Sequence, residues 1–481
     1  MAFAIRPGGE HADAPIDANQ GVMRGGSGFD LPIEGTLAVQ RGTFKLDRRS
    51  IANFGQKLGK HARLMIEDPE LFGRNLLQRT NFRLWEARLL DMLPTPRMHA
   101  RIVDSNEPRF NVLDTAWSAR SMTGGPNTAL NIAGHVARTG TPTRLISTSS
   151  PAAIDPVWLQ VHLSTLVGAT LPPIEVASAS DPAAPVQVGK RDIFMATHWI
   201  TAHQLRPVLH DLPNRKFFFL LQEFEAGFYP WSSNHALALE ALEMDYWPVI
   251  NERLLADYFF NTPFSRLSDP EMREQALVFE PAVDPAIFYP ARNSARRRPR
   301  LLFYARPSNT RNMFGLGLSA LRAVAGNPAF KDWEFISIGS RDSVPELTLG
   351  GGHCLRPAPW HDYAGYAELL RSADLLLCPM LSPHTSYPVL EMAACGGISV
   401  TNTFATKTRT ALEGISDTII ATPPTVEGLV QGLREGEVRV RAGLEPSGLR
   451  GIPASWSQAL GPLADRIAAR CQEQTAAYPA H

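Results

Sequence analysis

Residues 382–401 read SPHTSYPVLEMAACGGISVT, and this stretch decides the fold that we predict. Pro383 and Pro388 keep its first part out of a helix, because proline lacks a backbone donor and restricts the residue before it. Val389–Cys395 can then form a short helix, which the following Gly-Gly pair ends. Ile398–Thr401 is apolar and β-prone, which indicates a buried strand.

A loop that enters a helix beside a buried strand is where an open α/β sheet binds an anionic ligand. Glu391 falls in the first turn of the predicted helix. Its carboxylate could accept hydrogen bonds from ribose hydroxyls while the helix amides face a phosphate. The alternative is a structural glutamate that stabilises the helix dipole. This stretch alone leaves both interpretations open.

The composition is that of a globular protein, and 481 residues are enough for two domains with extensions. Lys and Arg total 47, as do Asp and Glu, so the overall charge indicates no nucleic-acid partner. The four cysteines form no CxxC pair, which argues against a zinc ribbon or a disulfide framework. Without a signal core or a long apolar segment, we expect a cytoplasmic protein, with peripheral contact at the inner face of the membrane left open.

The first hundred residues predict two segments. Residues 1–40 are rich in Gly, Ala, Asp and Pro, and we expect them to be disordered. Residues 41–96 form a predicted helical extension, because apolar side chains recur at spacings of three and four between residues 43 and 93. Arginines lie between them, so the segment either contacts an anionic membrane or a partner, or packs on the chain's own domains.

Two regions of alternating strands and helices follow, and this alternation predicts two parallel sheets. We assign residues 97–292 to a first Rossmann-like domain, residues 293–454 to a second, and residues 455–481 to a C-terminal helix and tail. The predicted strands are Arg109–Leu113, Thr143–Ser147, Asp192–Ala196, Lys216–Leu221, Tyr246–Ile250, Leu301–Tyr304, Phe335–Ile338, Leu375–Cys378 and Ile398–Val400.

Residues that could bind a ligand follow two of these predicted strands. Arg306 and Arg311 follow Leu301–Tyr304, where both guanidinium groups could bind one diphosphate, each through two hydrogen bonds. Gly124 and Gly125 follow the first strand of the first domain, and would let the backbone approach the same ligand from across a cleft.

Other chemistries lack their residue patterns. There is no Asp-x-Asp triplet for a metal-chelated nucleotide, no GxxxxGK[ST] phosphate loop, no HExxH and no GxSxG elbow. His198 and His203 are five residues apart, which is poor spacing for two ligands on one helical face. We therefore expect no metal and no cofactor, and interpret both histidines as core or cleft residues, with His198 a possible substrate contact.

The chain also resembles a known family. It is similar to two-domain (GT-B) glycosyltransferases of the group-1, family-4 type, and more narrowly to bacterial rhamnosyltransferases that use dTDP-rhamnose. The segments that carry the resemblance are DIFMATHWITAH, KFFFLLQEFEAGFYPWSSNHALALE, LLFYARPSNTRNMFGLGLSAL, YAELLRSADLLLCPMLSPHTSYPVLEMAACGG and ISVTNTFATKT. The resemblance implies an α/β fold in which two Rossmann-like domains with parallel sheets face a cleft, here with a helical N-terminal extension.

The resemblance implies roles for single residues. Arg306 and Arg311 match the basic pair that binds the donor diphosphate and would stabilise its charge during catalysis. The donor-binding residues that it implies are Arg306, Arg311, Tyr387, Glu391, Gly124 and Gly125. Glu223 and Glu225 lie in LQEFEAGFYP, a segment facing the cleft. Family-4 enzymes often have another glutamate before the ribose glutamate, and Pro383 stands at that position here. The residues APWHD stand where many relatives have a basic residue. The match therefore does not identify the donor sugar.

The implied function is transfer of a sugar, rhamnose by the nearest match, from a nucleotide-diphosphate donor to a hydroxyl of a glycan or lipid-linked glycan. The resemblance implies a metal-independent reaction of polysaccharide biosynthesis that retains the anomeric configuration. No residue stands out as a general base, so the donor phosphate could accept the proton. Two alternatives remain: a non-catalytic sugar-nucleotide-binding or scaffold protein of a glycan assembly complex, and an NAD-dependent oxidoreductase, against which the incomplete dinucleotide fingerprint argues.

Overall fold

The computed structural model describes residues 97–105, 108–118, 124–291, 298–340, 345–443 and 448–477. The predictions of disorder for residues 1–40 and of a helical extension for residues 41–96 lie outside these ranges. Within them, every helix is too short or too polar to cross a bilayer.

The first domain is built on a parallel sheet. Its described strands are β1 (Ala100–Val103), β2 (Phe110–Asp114), β3 (Thr143–Ser147), β4 (Glu175–Ser178), β5 (Val186–Gly189), β6 (Ile193–Ala196), β7 (Phe217–Leu221), β8 (Tyr246–Asn251) and β9 (Leu277–Phe279). Seven of them form one sheet in the order β4-β3-β2-β6-β7-β8-β9, with parallel pairing throughout, and β1 pairs separately with β5. The order reverses direction at β2, as in a doubly wound fold.

The second domain has a sheet of the same kind. Its described strands are β10 (Arg300–Tyr304), β11 (Glu334–Ile338), β12 (Leu347–Gly350), β13 (His353–Pro357), β14 (Leu375–Leu377), β15 (Ile398–Asn402) and β16 (Ile419–Thr422). They are ordered β12-β13-β11-β10-β14-β15-β16, and the edge pair β12–β13 is antiparallel while the other pairs are parallel. The two sheets confirm the predicted α/β class.

Helices cover the faces of both sheets, so the central strands are apolar on both sides. Phe217–Leu221, for example, is buried at every position. The described α-helices of the first domain are Gly124–Arg138, Pro156–Val167, Trp199–Leu209, Ser233–Ala241, Arg253–Asn261 and Pro270–Gln275. Those of the second are Phe314–Ala325, Tyr363–Arg371, Tyr387–Ala394, Arg409–Ile415 and Val426–Ala442.

The C-terminal helix Trp456–Ala477 returns to the first domain. It packs on the helix Gly124–Arg138 and on β9, and its buried Leu460, Ile467 and Cys471 belong to the same apolar core as Phe110. The Ser457 hydroxyl lies 3.3 Å from His135 Nε2 of that domain. The first domain is therefore completed by residues from the far end of the chain.

The stretch that opened the prediction folds as loop, helix and strand, with two local corrections. The helix is Tyr387–Ala394, so it begins earlier than Val389 and contains Pro388 in its first turn. Proline is tolerated there because the first-turn amides have no partner within the helix. Glu391 consequently lies in the second turn, and the first-turn placement was wrong. The interpretation of Glu391 as a residue that stabilises the helix dipole is therefore less favoured, because that effect is confined to the first turn.

Ile467 offers a test of the C-terminal helix. It is fully buried against the first domain, so Ile467→Ala removes buried methylenes and leaves a cavity. We expect the free energy of unfolding to fall by about 2–5 kcal/mol. Urea unfolding followed by circular dichroism measures this, with the exposed Gln472→Ala in the same helix as the control. Equal losses for both variants would mean that the helix does not pack as described.

Candidate functional site

The two domains meet through a polar seam at the carboxyl ends of their strands. Residues after β7, at the end of β8 and in the helix Gly124–Arg138 of the first domain contact residues 311 and 382–387 of the second. We call this set the interdomain seam, and its members are Thr128, Glu223, Asn251, Glu252, Arg311, Ser382, His384, Thr385 and Tyr387.

Glu223 forms the first half of the seam. It follows β7 and is buried, and its carboxylate pairs with Nη1 of Arg311. The Ser382 hydroxyl donates to the same carboxylate, 2.6 and 2.8 Å from its two oxygens. The Arg311 guanidinium also lies 5.0 Å from the centre of the Phe228 ring. Among the described residues, Nε of Arg311 has no hydrogen-bond partner, so the side chain retains capacity for a ligand.

Glu252 forms the second half. It follows β8 and is buried, and its Oε1 accepts hydrogen bonds from Thr385 N at 2.5 Å and from Thr385 Oγ1 at 2.6 Å. Burial, opposed by these hydrogen bonds, raises the pKa of Glu252 to about 8. His384 Nε2 lies 3.5 Å from the other carboxylate oxygen. Because Ser386 N donates to His384 Nδ1 at 2.9 Å, the neutral ring carries its hydrogen on Nε2, facing Glu252.

Tyr387 joins the two domains at the start of its helix. Asn251 Nδ2 donates to the Tyr387 hydroxyl at 2.8 Å, and the Thr128 hydroxyl lies 3.2 Å from it. Thr128 belongs to the first turns of the helix that begins at Gly124. The predicted glycine pair is therefore near the predicted tyrosine: Gly124 has a φ of +31°, and the Gly125 carbonyl accepts from Gln222 Nε2 at 3.2 Å.

Arg306 and Glu391 each contact a tyrosine, and these two tyrosines interact electrostatically. Arg306 follows β10 and lies within hydrogen-bonding reach of the Tyr304 hydroxyl. Tyr366 donates to Glu391 Oε2 at 3.0 Å, and the charge of Glu391 adds to burial in raising the Tyr366 pKa. Burial raises the pKa of Glu391 to about 7. Gly339 makes room for the Tyr304 ring, since a Cβ there would lie 2.5 Å from a ring carbon.

The first domain presents a second acidic cluster beside the seam. Asp114 ends β2, and its Oδ1 lies 4.0 Å from His198 Nε2 at the end of β6. Burial lowers the pKa of His198, and Asp114 opposes this shift. Glu225 accepts a hydrogen bond from Trp199 N at 2.7 Å, and burial raises its pKa to about 8. The charges of Glu223, Asp114 and Arg311 all act on Glu225, so this cluster adjoins the seam.

Lys407 supplies a further cation. It is fully buried and its Nζ donates to the Met380 carbonyl at 2.7 Å. Burial lowers its pKa to about 8, while the charges of Glu223 and Glu252 favour the ammonium form. The buried carboxylates of the seam therefore interact with two cations, the half-buried Arg311 and the buried Lys407 beside the seam.

Backbone strain is concentrated here. The described non-glycine residues with positive φ are Glu252 at 81°, Ser386 at 84°, Met313 at 46° and Ala405 at 48°. Glu252 is a seam residue, and the other three lie within two residues of Tyr387, Arg311 and Lys407. Strained backbone of this kind persists only where the surrounding structure holds it, and it clusters at ligand-binding sites.

The structure brings most of the predicted site residues to one region. Arg311, Tyr387 and Glu223 are members of the seam, and Gly124 and Gly125 lie beside it. His198 and Glu225 belong to the adjoining acidic cluster. Arg306 and Glu391 contact Tyr304 and Tyr366 instead, and the charge of Glu391 acts on Tyr387. Sequence reasoning missed Thr128, Asn251, Glu252, Ser382, His384, Thr385, Tyr366 and Lys407. Lys407 and residues 382–385 lie inside segments that carried the resemblance, so closer reading of those loops could have found them.

Two parallel sheets whose carboxyl ends face each other across such a seam have the GT-B architecture. Two family models match the chain in succession: the WsaF N-terminal domain over residues 109–251 and the WsaF C-terminal domain over residues 299–434. Since the two matches together span more than half of the chain, this protein belongs to the WsaF family.

A curated relative is the O-antigen biosynthesis protein RfbC of Myxococcus xanthus. It is 31% identical over 266 residues, which are 52% of this chain and 19% of the relative. The chain thus spans about a fifth of the length of that protein.

Solved structures are more distant. Sucrose-phosphate synthase of Thermosynechococcus elongatus is 13% identical, with a TM-score of 0.48 over 77% of this chain and 100% of that chain. Anabaena HepE in complex with UDP-glucose is 12% identical, with the same TM-score and the same coverage of both chains.

The raised pKa of Glu252 predicts how stability depends on pH. A carboxyl with a folded pKa of about 8 and an ordinary value of 4.5 stabilises the fold fully below the lower value, and this contribution is lost as the pH rises through the upper one. Relative to Glu252→Gln, which stays neutral, the wild type should lose up to about 1.4 kcal/mol per pH unit across that interval.

Urea unfolding of both proteins between pH 5 and pH 9 measures this difference. The control is Glu274→Gln, which changes an exposed glutamate of the same domain and should follow the wild type. A wild-type minus Glu252→Gln difference that stays constant with pH would show that Glu252 is not held in a low-dielectric site.

Proposed function

We propose that this protein transfers rhamnose from dTDP-rhamnose to a hydroxyl of a glycan or lipid-linked glycan acceptor, in the synthesis of a surface polysaccharide. The observation that carries the proposal is the buried Glu391 in the helix after β14, which is hydrogen-bonded to Tyr366, together with Arg306, which lies beside Tyr304 after the neighbouring strand β10. This is one carboxylate for ribose and one cation for diphosphate, on neighbouring strand ends. The name of the Myxococcus xanthus relative supports the O-antigen type of product.

The donor would lie with its ribose on Glu391 and its diphosphate between Arg306 and Arg311. Arg311 already lies on the seam, so the sugar beyond the diphosphate would face the first domain. The acceptor would enter from the side of Asp114 and His198, whose imidazole is partly exposed. We place this reaction in the cytoplasm, at the inner face of the membrane where the acceptor is lipid-linked.

The protein's own cations would stabilise the reaction. The bond from the anomeric carbon to the phosphate oxygen breaks with its electron pair on the diphosphate, and Arg306, Arg311 and the first amides of the helix Tyr387–Ala394 stabilise that charge. Because these groups supply positive charge at the diphosphate, we propose that no metal is needed. The acceptor oxygen bonds to the anomeric carbon on the face that the diphosphate leaves, which retains configuration, and its proton passes to a phosphate oxygen.

Replacing Arg306 tests the diphosphate site. Arg306→Ala should lower kcat/KM about 100- to 1,000-fold, or ~3 kcal/mol, because a charge-stabilising donor is lost. The control is Arg322→Ala, an exposed arginine of the same domain, which should keep wild-type kinetics. Steady-state kinetics with dTDP-rhamnose measure both, and an unchanged kcat/KM for Arg306→Ala would refute this assignment.

Thermal unfolding tests the donor. At saturating dTDP-rhamnose the melting temperature should rise by several degrees, and by more than with UDP- or GDP-sugars at equal concentration, because only the folded state binds. NAD serves as the control for a dehydrogenase and should produce no shift. The shift should persist in EDTA if no metal is required. If no sugar nucleotide raises the melting temperature, the donor site is wrong.

The anomeric configuration of the product tests the proton route. Retention, read by NMR, agrees with the diphosphate as proton acceptor. Inversion would contradict it, and would instead favour His198, which Asp114 adjoins, as the base.

A further inference from the structure

Glu223 belongs to the first domain, yet it is bound by groups of the second. Within the described part of the chain, its hydrogen-bonding partners are the Phe224 amide at 3.0 Å, Arg311 and Ser382. The carboxylate is buried, and an ionised buried carboxylate is costly unless charged or hydrogen-bonding groups surround it. In the structure, Arg311 is the cation that pairs directly with it, and the charge of Lys407 acts on it from further away.

The Arg311 guanidinium cannot bind two anions equally well at the same time. Under the proposed function, on which this inference rests, Arg311 binds the donor diphosphate. The diphosphate then competes with Glu223 for the guanidinium. A Glu223 carboxylate that loses part of its cation must find other donors, because an unpartnered charge in a low-dielectric site is strongly destabilised.

The sugar of an intact donor can supply those donors. It is bonded to the phosphate that Arg311 would hold, so its hydroxyls lie within a few bond lengths of the Arg311–Glu223 contact. Hydroxyl groups can donate to a carboxylate, as the Ser382 hydroxyl already does at 2.6 Å. A nucleoside diphosphate without a sugar brings its charge to the same place but offers Glu223 no hydroxyl there.

We propose that Glu223 is the counter-ion of Arg311 in the empty enzyme and the ligand of a donor-sugar hydroxyl in the loaded enzyme. Glu223 then selects the intact sugar nucleotide over the nucleoside diphosphate. After transfer the nucleotide no longer carries the sugar. Glu223 then pairs with Arg311 again, which weakens the binding of the nucleoside diphosphate product. The residue is a specificity determinant that also favours product release.

The test compares two ligands on one variant. Glu223→Gln keeps the size of the side chain and removes its charge. By isothermal titration without acceptor, dTDP should bind about 10-fold more tightly than to the wild type, because Arg311 is released. dTDP-rhamnose should bind about 10- to 100-fold more weakly, because a hydrogen bond to a charged group is lost. The control is Glu240→Gln, which breaks an exposed pair with Arg206 and should change neither affinity.

The two failures are distinguishable. If wild-type protein binds neither ligand, the proposed function fails. If it binds both and Glu223→Gln changes both affinities by the same factor or leaves both unchanged, only the role of Glu223 fails. Should Glu223→Gln not fold, Glu223→Asp keeps the charge but shortens the reach. It should leave dTDP within about 2-fold and weaken dTDP-rhamnose about 10-fold, and an unchanged dTDP-rhamnose affinity would overturn the proposal.

Discussion

Two buried carboxylates, Glu223 and Glu252, are the constraint on which this site depends. They follow neighbouring strands of the first domain, and neither finds enough hydrogen-bond donors within that domain. Arg311 and the loop Ser382–Thr385 supply the missing donors from the second domain. Because a buried polar group without partners is costly, and more so when it is charged, these contacts set how the two strand edges meet.

The same constraint fixes two cations. Glu223 holds Arg311 in place, and the Met380 carbonyl holds Lys407. The positive φ values of Glu252 and Ser386 belong to this arrangement, since each residue places its loop against the opposite domain. Backbone strain therefore occurs at residues that position the charged groups.

Local patterns predicted the sheets well. Thr143–Ser147 agrees residue for residue, and the other predicted strands differ only at their ends. Strands such as β4, β12 and β13 escaped prediction because they are short and partly exposed at or next to sheet edges, where little apolar pattern remains. The start of the helix at Tyr387 was misplaced because Pro388 can end a helix or occupy its first turn, and residue type alone does not distinguish the two.

The sequence alone indicates two parallel sheets, because strands buried on both faces must be runs of apolar residues. It also indicates the cations and carboxylates at the strand ends, because the polar loops contrast with these runs. It does not reveal which carboxylate meets which cation. Glu252 and Thr385 are 133 residues apart and Thr128 and Tyr387 are 259 apart, so no local pattern joins them. The stretch 382–401 was therefore predictable as a loop, a helix and a strand, but only the packing of one domain on the other makes it a surface that two carboxylates of the first domain hold.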